Sequence, residues 1–170
     1  RAHCRGGAAP VLFHKASLQE VDEASVAAEV RDAIAAAHRR VVGVVVNAVD
    51  DSLAKGEQID TRWTHDEIKI LPTLLHEAKA AHRIVILLAD HGHVVDHQAQ
   101  GRRGEGGERW RIDDAQPAAD ELQLTGSRVL IPANHRLIAP WTEKVRYGVK
   151  KNGYHGGVSP QEMVIPITVL

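Results

Sequence analysis

The sequence predicts an α/β fold built on a parallel sheet. Two continuous β-branched runs, "RVVGVVVNAV" at 40–49 and "RIVILLA" at 83–89, have the pattern of strands buried on both faces. Between them lies a segment with apolar residues at helical spacing. Strand, helix and strand in that order form a βαβ unit, a crossover that is nearly always right-handed with parallel strands. Each run leads into an acid-rich stretch, "DD" at 50–51 and "DHGH" at 90–93. The topology sets both at carboxyl ends of strands, the edge where open α/β sheets bind ligands.

In chain order, residues 1–20 show no clear period, and "PVLFHK" predicts a short strand. From Ser25, "SVAAEVRDAIAAAHRR" joins good helix formers to apolar residues at Val26, Val30, Ile34 and Ala37, one face of a helix with Ser25 as its N-cap. The first β-branched run follows and closes in the polar, turn-forming "DDSLAKG". Thr64 to Glu67 reads as a T-x-x-E capping box ahead of Ile68, Leu71, Leu74, Leu75 and Ala78, which predicts a helix from about Thr64 to His82. Pro72 should kink that helix or force a restart, because proline lacks an N–H and clashes with the preceding turn. After the second run, residues 98–127 are Gly-rich, charged and poorly periodic, a long excursion with a short strand at "ERWRI". "RVLIP" resumes a strand pattern, and Gly-rich turns lead to a final apolar strand in "VIPITVL".

Composition narrows the classes. With 170 residues, 44% hydrophobic and 25% charged, the chain is long enough for one domain with a real core and is not disordered. A net charge of −1 announces no nucleic-acid or acidic-lipid partner. Cys4 is the only cysteine, which excludes an internal disulfide framework and a thiolate zinc site, and fits a reducing cytoplasm. No apolar run approaches the ~20 residues a membrane span needs and no signal peptide opens the chain, so the expectation is a cytoplasmic protein with no membrane partner. The chain starts at Arg1, has Met163 as its only methionine and stops inside an apolar run. It reads as a fragment of a longer protein.

The candidate chemistry is concentrated in three places. Asp90 and His91 are adjacent at a strand end and are followed by Gly92, whose freedom of backbone angle lets both side chains converge. Carboxylate oxygen and imidazole nitrogen are both good ligands for Zn²⁺, and Mn²⁺ accepts them too. "GYHGG" at 153–157 sets His155 between glycines, a loop that can approach an ion closely. Asp50 and Asp51 end the other strand, and neighbouring like charges repel unless a cation sits near them. Each feature alone also fits a solvated turn. "HEAKAAH" lacks the second His of an H-E-x-x-H zinc helix, since position 80 is Ala80, and His76 and His82 lie on different helix faces. Lys144, Arg146, Lys150 and Lys151, interleaved with Trp141, Tyr147 and Tyr154, fit either a phosphate-backbone surface or an ordinary solvated one.

Taken in order, the acidic strand end, "ADHGH" and "YHGG" resemble the alkaline phosphatase superfamily, and within it the PglZ domain of bacterial phage-defence (BREX) systems. "APWTEKVRYGVKKNGYHGGVSPQEMVIPITVL" looks like the end of a type 2 PglZ phosphatase domain, and "VVNAVDDSLAKG" and "LLADHGHV" match the same family in the right order. The resemblance implies a three-layer α/β/α domain, alkaline-phosphatase-like, of which this chain is the incomplete C-terminal part. It implies divalent metal at the sheet edge, Zn²⁺ first with Mn²⁺ or Mg²⁺ as alternatives, and attack on phosphorus by a Ser or Thr. Carried over by motif, Asp90 and His91 belong to one ion. His155 belongs to the other, with the aspartate of a D-x-x-x-H element. By spacing that aspartate is Asp51, but its His partner falls at Lys55. Asp50 and Asp51 together, or a nearby His, would then complete the site. His93 is assigned an outer role or that of a substitute ligand. No segment before Ser25 has the strand, Asp and nucleophile pattern, so the catalytic nucleophile is expected upstream.

Two functions follow. One is a metal-dependent phosphohydrolase or phosphodiesterase domain of a bacteriophage-exclusion system, acting on a phosphoester, with nucleic acid among the candidates, and inactive in this fragment alone. The other is a non-catalytic interaction or DNA-binding module that meets other proteins of the same defence system.

Overall fold

The computed structural model describes residues 8–14, 26–55, 67–130 and 134–170. In chain order the first elements are β1 (Val11–Phe13), α1 (Ala28–Ala35), β2 (Val42–Val44), α2 (Ala48–Lys55), α3 (Leu71–Ala80) and β3 (Ile86–Leu88). Then come β4 (Val94–Val95), β5 (Gln100–Gly101), β6 (Glu121–Thr125), β7 (Arg136–Pro140), β8 (Val145–Arg146), β9 (Gly153–Tyr154), α4 (Pro160–Met163) and β10 (Ile167–Val169). Helices combined with parallel and antiparallel ladders make the chain α/β. Among the described residues the ladders are two-stranded: β1–β2, β3–β10, β4–β9, β5–β8 and β6–β7. The described residues fall in two compact units, one drawn from Arg1–Val49, Thr61–Leu87 and Thr168–Leu170, the other from Asp50–Asp60 and Leu88–Ile167.

The first unit holds a βαβ crossover one element earlier than the sequence predicts. β1 and β2 pair in parallel, with Val11 opposite Val42 and Phe13 opposite Val44, and α1 lies between them in the chain. The three-to-four spacing of α1 buries Val30, Ala33 and Ile34 against Phe13, Val26 and Ile70, with Leu74 and Ala81 packed around them. This is the hydrophobic term that holds the unit. At the C-terminal end of α1 the Arg83 guanidinium donates to the carbonyl oxygens of Ile34 at 2.9 Å and Ala36 at 2.7 Å, a cation at the negative pole of a helix. α3 starts at Leu71 with Pro72 in its first turn, where the proline's missing N–H costs nothing. Ser25 and Thr64 lie outside the described residues.

Three expectations are corrected. β3 pairs with β10, not with β2, and Val85 and Leu170 beside that ladder exchange both backbone hydrogen bonds, the mark of an antiparallel pair. Ile86 and Leu88 are exposed, because a two-stranded ladder does not bury both faces of the run. Asp50 and Asp51 do not end a strand: β2 stops at Val44, and both lie in the first turn of α2, where the helix dipole favours carboxylates. "RVLIP" is no resumed strand over Arg128–Leu130, and Ile131 and Pro132 lie outside the described residues. The β6–β7 register pairs Thr125 with Arg136, so this stretch falls in the connection between them. "ERWRI" contributes isolated bridges at Arg111, to Gly106 and Ile138. No described helix is long and apolar enough to cross a membrane.

The second unit is organised by buried ions as much as by apolar packing. Val94, Ala99 and Tyr154 form a small buried cluster, and the Tyr154 hydroxyl donates to Asp96 at 2.8 Å. Glu121 is buried and accepts from Arg111 at 2.6 Å, the Tyr147 hydroxyl at 2.6 Å, the Ala118 N–H at 2.9 Å and Arg102 at 3.1 Å. Burial pushes the Glu121 carboxyl up, but these bonds outweigh it and hold the group at about 2 against an ordinary 4.5. A carboxyl whose folded pKa is depressed contributes stability above its unfolded pKa and loses it as pH falls through the folded value. Urea midpoints of the wild type are therefore expected to drop between pH 4.5 and pH 2, and Glu121→Gln to lose stability near neutrality while showing a shallower acid decline. An unchanged acid profile in the variant would remove Glu121 from this account.

Candidate metal centre

Three stretches of the second unit meet at one place. Asp50 comes from the first turn of α2, His91 and His93 from the loop between β3 and β4, and His155 from the residue after β9. The antiparallel β4–β9 ladder pairs Val94 with Tyr154, so the next residues outward, His93 and His155, face each other across its end. Their ring centroids are 5.3 Å apart, with those of His91 and His93 at 4.9 Å. His91 and His155 stack at 4.2 Å with their planes 10° apart. Asp50 Oδ1 lies 2.6 Å from His93 Nε2.

One ligand atom each from Asp50, His91 and His93 lies within 4.8 Å of the other two, close enough for a single divalent cation to gather them. The side chains are partly sheltered, with 38% of Asp50, 27% of His91 and 17% of His93 exposed. A carbonyl oxygen can only accept, so His91 Nδ1 donates to the Gly92 oxygen at 3.1 Å and leaves the lone pair on Nε2. Burial, with His91 and His93 close by, holds the His155 imidazole below its ordinary pKa against the opposing pull of Asp50 and Glu108. A carboxylate oxygen and imidazole nitrogens are donors that a divalent cation accepts, so the set suits a metal ion.

The residues singled out in the sequence are not all alike in position. Asp50, His91 and His155 are brought together. Asp90 is adjacent, 3.5 Å from His91 Nε2, but its carboxylate is 90% exposed and it is outside the group of three. Asp51 neighbours Asp50 in α2, is half-buried and is also outside that group. Lys55 is the last residue of α2. His93, given from sequence either an outer role or that of a substitute ligand, contacts Asp50 directly. The signal for it was the H-G-H spacing, since residues two apart in extended chain point to the same side.

Gly92 does different work from that expected of it. Gly92 has no positive φ, and what it permits is close approach: a Cβ there would lie 2.0 Å from the Gln161 carbonyl oxygen. Gly156, at φ +99°, does occupy the left-handed region. At Gly157 a Cβ would meet both carboxylate oxygens of Glu162, at 2.5 and 2.9 Å.

No curated protein and no solved structure matches the chain. The family model of the BREX system PglZ alkaline phosphatase-like domain matches residues 2–170. The ordered Asp-His-Gly and His-Gly-Gly motifs and the donor cluster they form thus sit within a match that spans the chain, which belongs to the PglZ family of BREX alkaline phosphatase-like domains.

Proposed function

We propose that the chain is the C-terminal part of a metal-dependent phosphohydrolase or phosphodiesterase domain, with Asp50, His91 and His93 holding a divalent cation and His155 beside them. The observation that carries this reading is the grouping of one carboxylate and two imidazoles within 4.8 Å in a family of alkaline phosphatase-like domains. Zn²⁺ suits the nitrogen-rich donor set best, with Mn²⁺ or Mg²⁺ as alternatives. When bound, such a cation supplies charge neutralisation for a phosphoryl oxygen and lowers the pKa of an attacking hydroxyl. The chain's own part is to orient donors: Asp50 holds His93, the Gly92 carbonyl sets the tautomer of His91, and His155 stacks on His91. Asp90 and Asp51 stand close enough in sequence to serve as further ligands. The reading assigns no nucleophile within residues 1–170, takes the whole as one three-layer domain acting in the cytoplasm, and names a phosphoester as substrate and other exclusion-system proteins as partners.

Exposed Trp141, Lys144 and Lys150 favour a second reading, a DNA-binding or interaction module. Against it, Lys151 is paired with Glu108 and Arg146 donates to the Gly148 carbonyl at 2.7 Å, which engages two of the four cations. Titration of Zn²⁺ and Mn²⁺ into the metal-free intact protein separates the two. The enzyme reading expects saturable binding that is lost when His91 and His155 are both replaced by Ala, together with hydrolysis of a generic phosphodiester that chelation stops. Absence of metal binding, with salt-dependent DNA binding that survives chelation, would replace it with the second reading.

A further inference from the structure

Behind the two histidine loops lies a fully buried ion pair that the metal donors do not include. Arg109 and Glu162 are both almost inaccessible to solvent. Arg109 Nε donates to Glu162 Oε1 at 3.0 Å and Nη2 to Oε2 at 2.9 Å, a two-pronged geometry that fixes the carboxylate plane. The rest of the guanidinium is committed to backbone, donating to the carbonyl oxygens of Val145 and, at 2.6 Å, Thr142. Ser159 adds its hydroxyl at 2.6 Å and its N–H at 3.3 Å to Glu162 Oε2, the N–H bond being the return half of a capping box on α4.

Glu162 also reaches both histidine loops. Its backbone carbonyl accepts the Gly92 N–H at 2.8 Å, between His91 and His93. Its Oε1 accepts the Gly157 N–H at 2.8 Å, two residues beyond His155. The β4–β9 ladder joins the same loops where Val94 pairs with Tyr154. Each loop is therefore tied once at the ladder and once at Glu162, with His93 and His155 between the ties and His91 directly before the tie at Gly92. The absent Cβ atoms of Gly92 and Gly157 are what allow the contact with α4.

The geometry points to Glu162, held by Arg109, as the positioning residue of the histidine cluster. It touches no ligand atom. It acts through the backbone of two loops distant in sequence, and its displacement would shift His91, His93 and His155 together. This inference rests on the metal-site reading for its functional meaning, but its geometric content can be tested without metal.

Two readouts on the intact protein decide it: Zn²⁺ affinity by chelator competition, and the rate at which diethyl pyrocarbonate modifies His91 and His155 in the metal-free protein, followed by mass spectrometry. Glu162→Gln is expected to weaken Zn²⁺ binding by about 10- to 100-fold, the usual cost of losing a group that orients ligands, and to change both modification rates several-fold. Glu121→Gln is the comparison, because it removes a similarly buried, arginine-paired carboxylate that bonds neither loop. It should lower the melting temperature and leave both readouts unchanged. Ser159→Ala removes only the hydroxyl bond to Oε2 and should move both readouts the same way by less, which decides the matter should Glu162→Gln not fold. Wild-type reactivity in Glu162→Gln, or in Ser159→Ala where that variant stands in, overturns the inference, as does an equal change in Glu121→Gln. A wild-type protein that binds no Zn²⁺ sinks the metal reading alone, and the modification rates still decide this one.

Discussion

His93→Ala is expected to reduce the Zn²⁺ affinity of the intact protein by at least about 100-fold, whereas Asp90→Ala changes it by much less. His93 sits among the three donors and holds the Asp50 carboxylate at 2.6 Å, so its removal takes away one ligand and the orienting partner of another. Asp50→Ala should therefore match His93→Ala, and the double variant should cost less than the sum, because contacting residues couple. Asp90 points its carboxylate into solvent. Isothermal titration of the single and double variants checks this order. Should Asp90→Ala abolish binding and His93→Ala spare it, the ion would lie on the Asp90 side of His91 and the assignment built on Asp50 and His93 would be wrong.

Gly92→Ala is expected to destabilise the second unit by roughly 1–3 kcal/mol, the range for forcing extra volume into a packed site. The new Cβ would lie 2.0 Å from the Gln161 carbonyl oxygen and 3.1 Å from its carbon. Backbone cannot rotate away as a flexible side chain can, so the loop must withdraw from α4 and give up the Gly92 N–H bond to Glu162 at 2.8 Å. Urea denaturation measures the loss, and Zn²⁺ affinity should fall with it. At Gly101 the intruded atoms belong to the end of the Arg146 side chain, which can move, so Gly101→Ala should cost less. Equal stability of Gly92→Ala and the wild type would mean that the loop does not press on α4.

The parts of this architecture that were legible in the sequence are the locally encoded ones. α1 was written in the spacing of Val26, Val30 and Ile34, and the helix boundary at Pro72 in the chemistry of proline. β1, β2, β3 and β10 were visible as β-branched or apolar runs. Strand partnership was not legible, because an apolar run carries no label for its neighbour: β1, a three-residue strand without a clear period, took the place beside β2 that had been given to β3. The burial of charge in the second unit was not legible for a related reason. A stretch as polar as 98–127 looks like solvated loop, yet Arg109, Arg111 and Glu121 are buried in it, since ionic groups can leave water when partners from distant segments satisfy them.

The sequence by itself determined the family and the chemical inventory of the site. By motif and spacing the sequence offered Asp90, His91, Asp51 and His155 as ligands, with Asp50 beside Asp51 as an alternative. Only the tertiary structure decided how those side chains divide. The β4–β9 register brings His155 to His93, the first turn of α2 turns Asp50 toward the same point, and Asp90 is left facing water. In sequence Gly92 offered freedom of backbone angle, and the glycines around His155 offered close approach to an ion. At Gly92 and Gly157 they prove to be the places where the loops press against α4, a role set by atoms more than 60 residues away from Gly92 in the chain. Sequence encodes which groups are present and their local geometry; the distances between segments come from packing the whole unit.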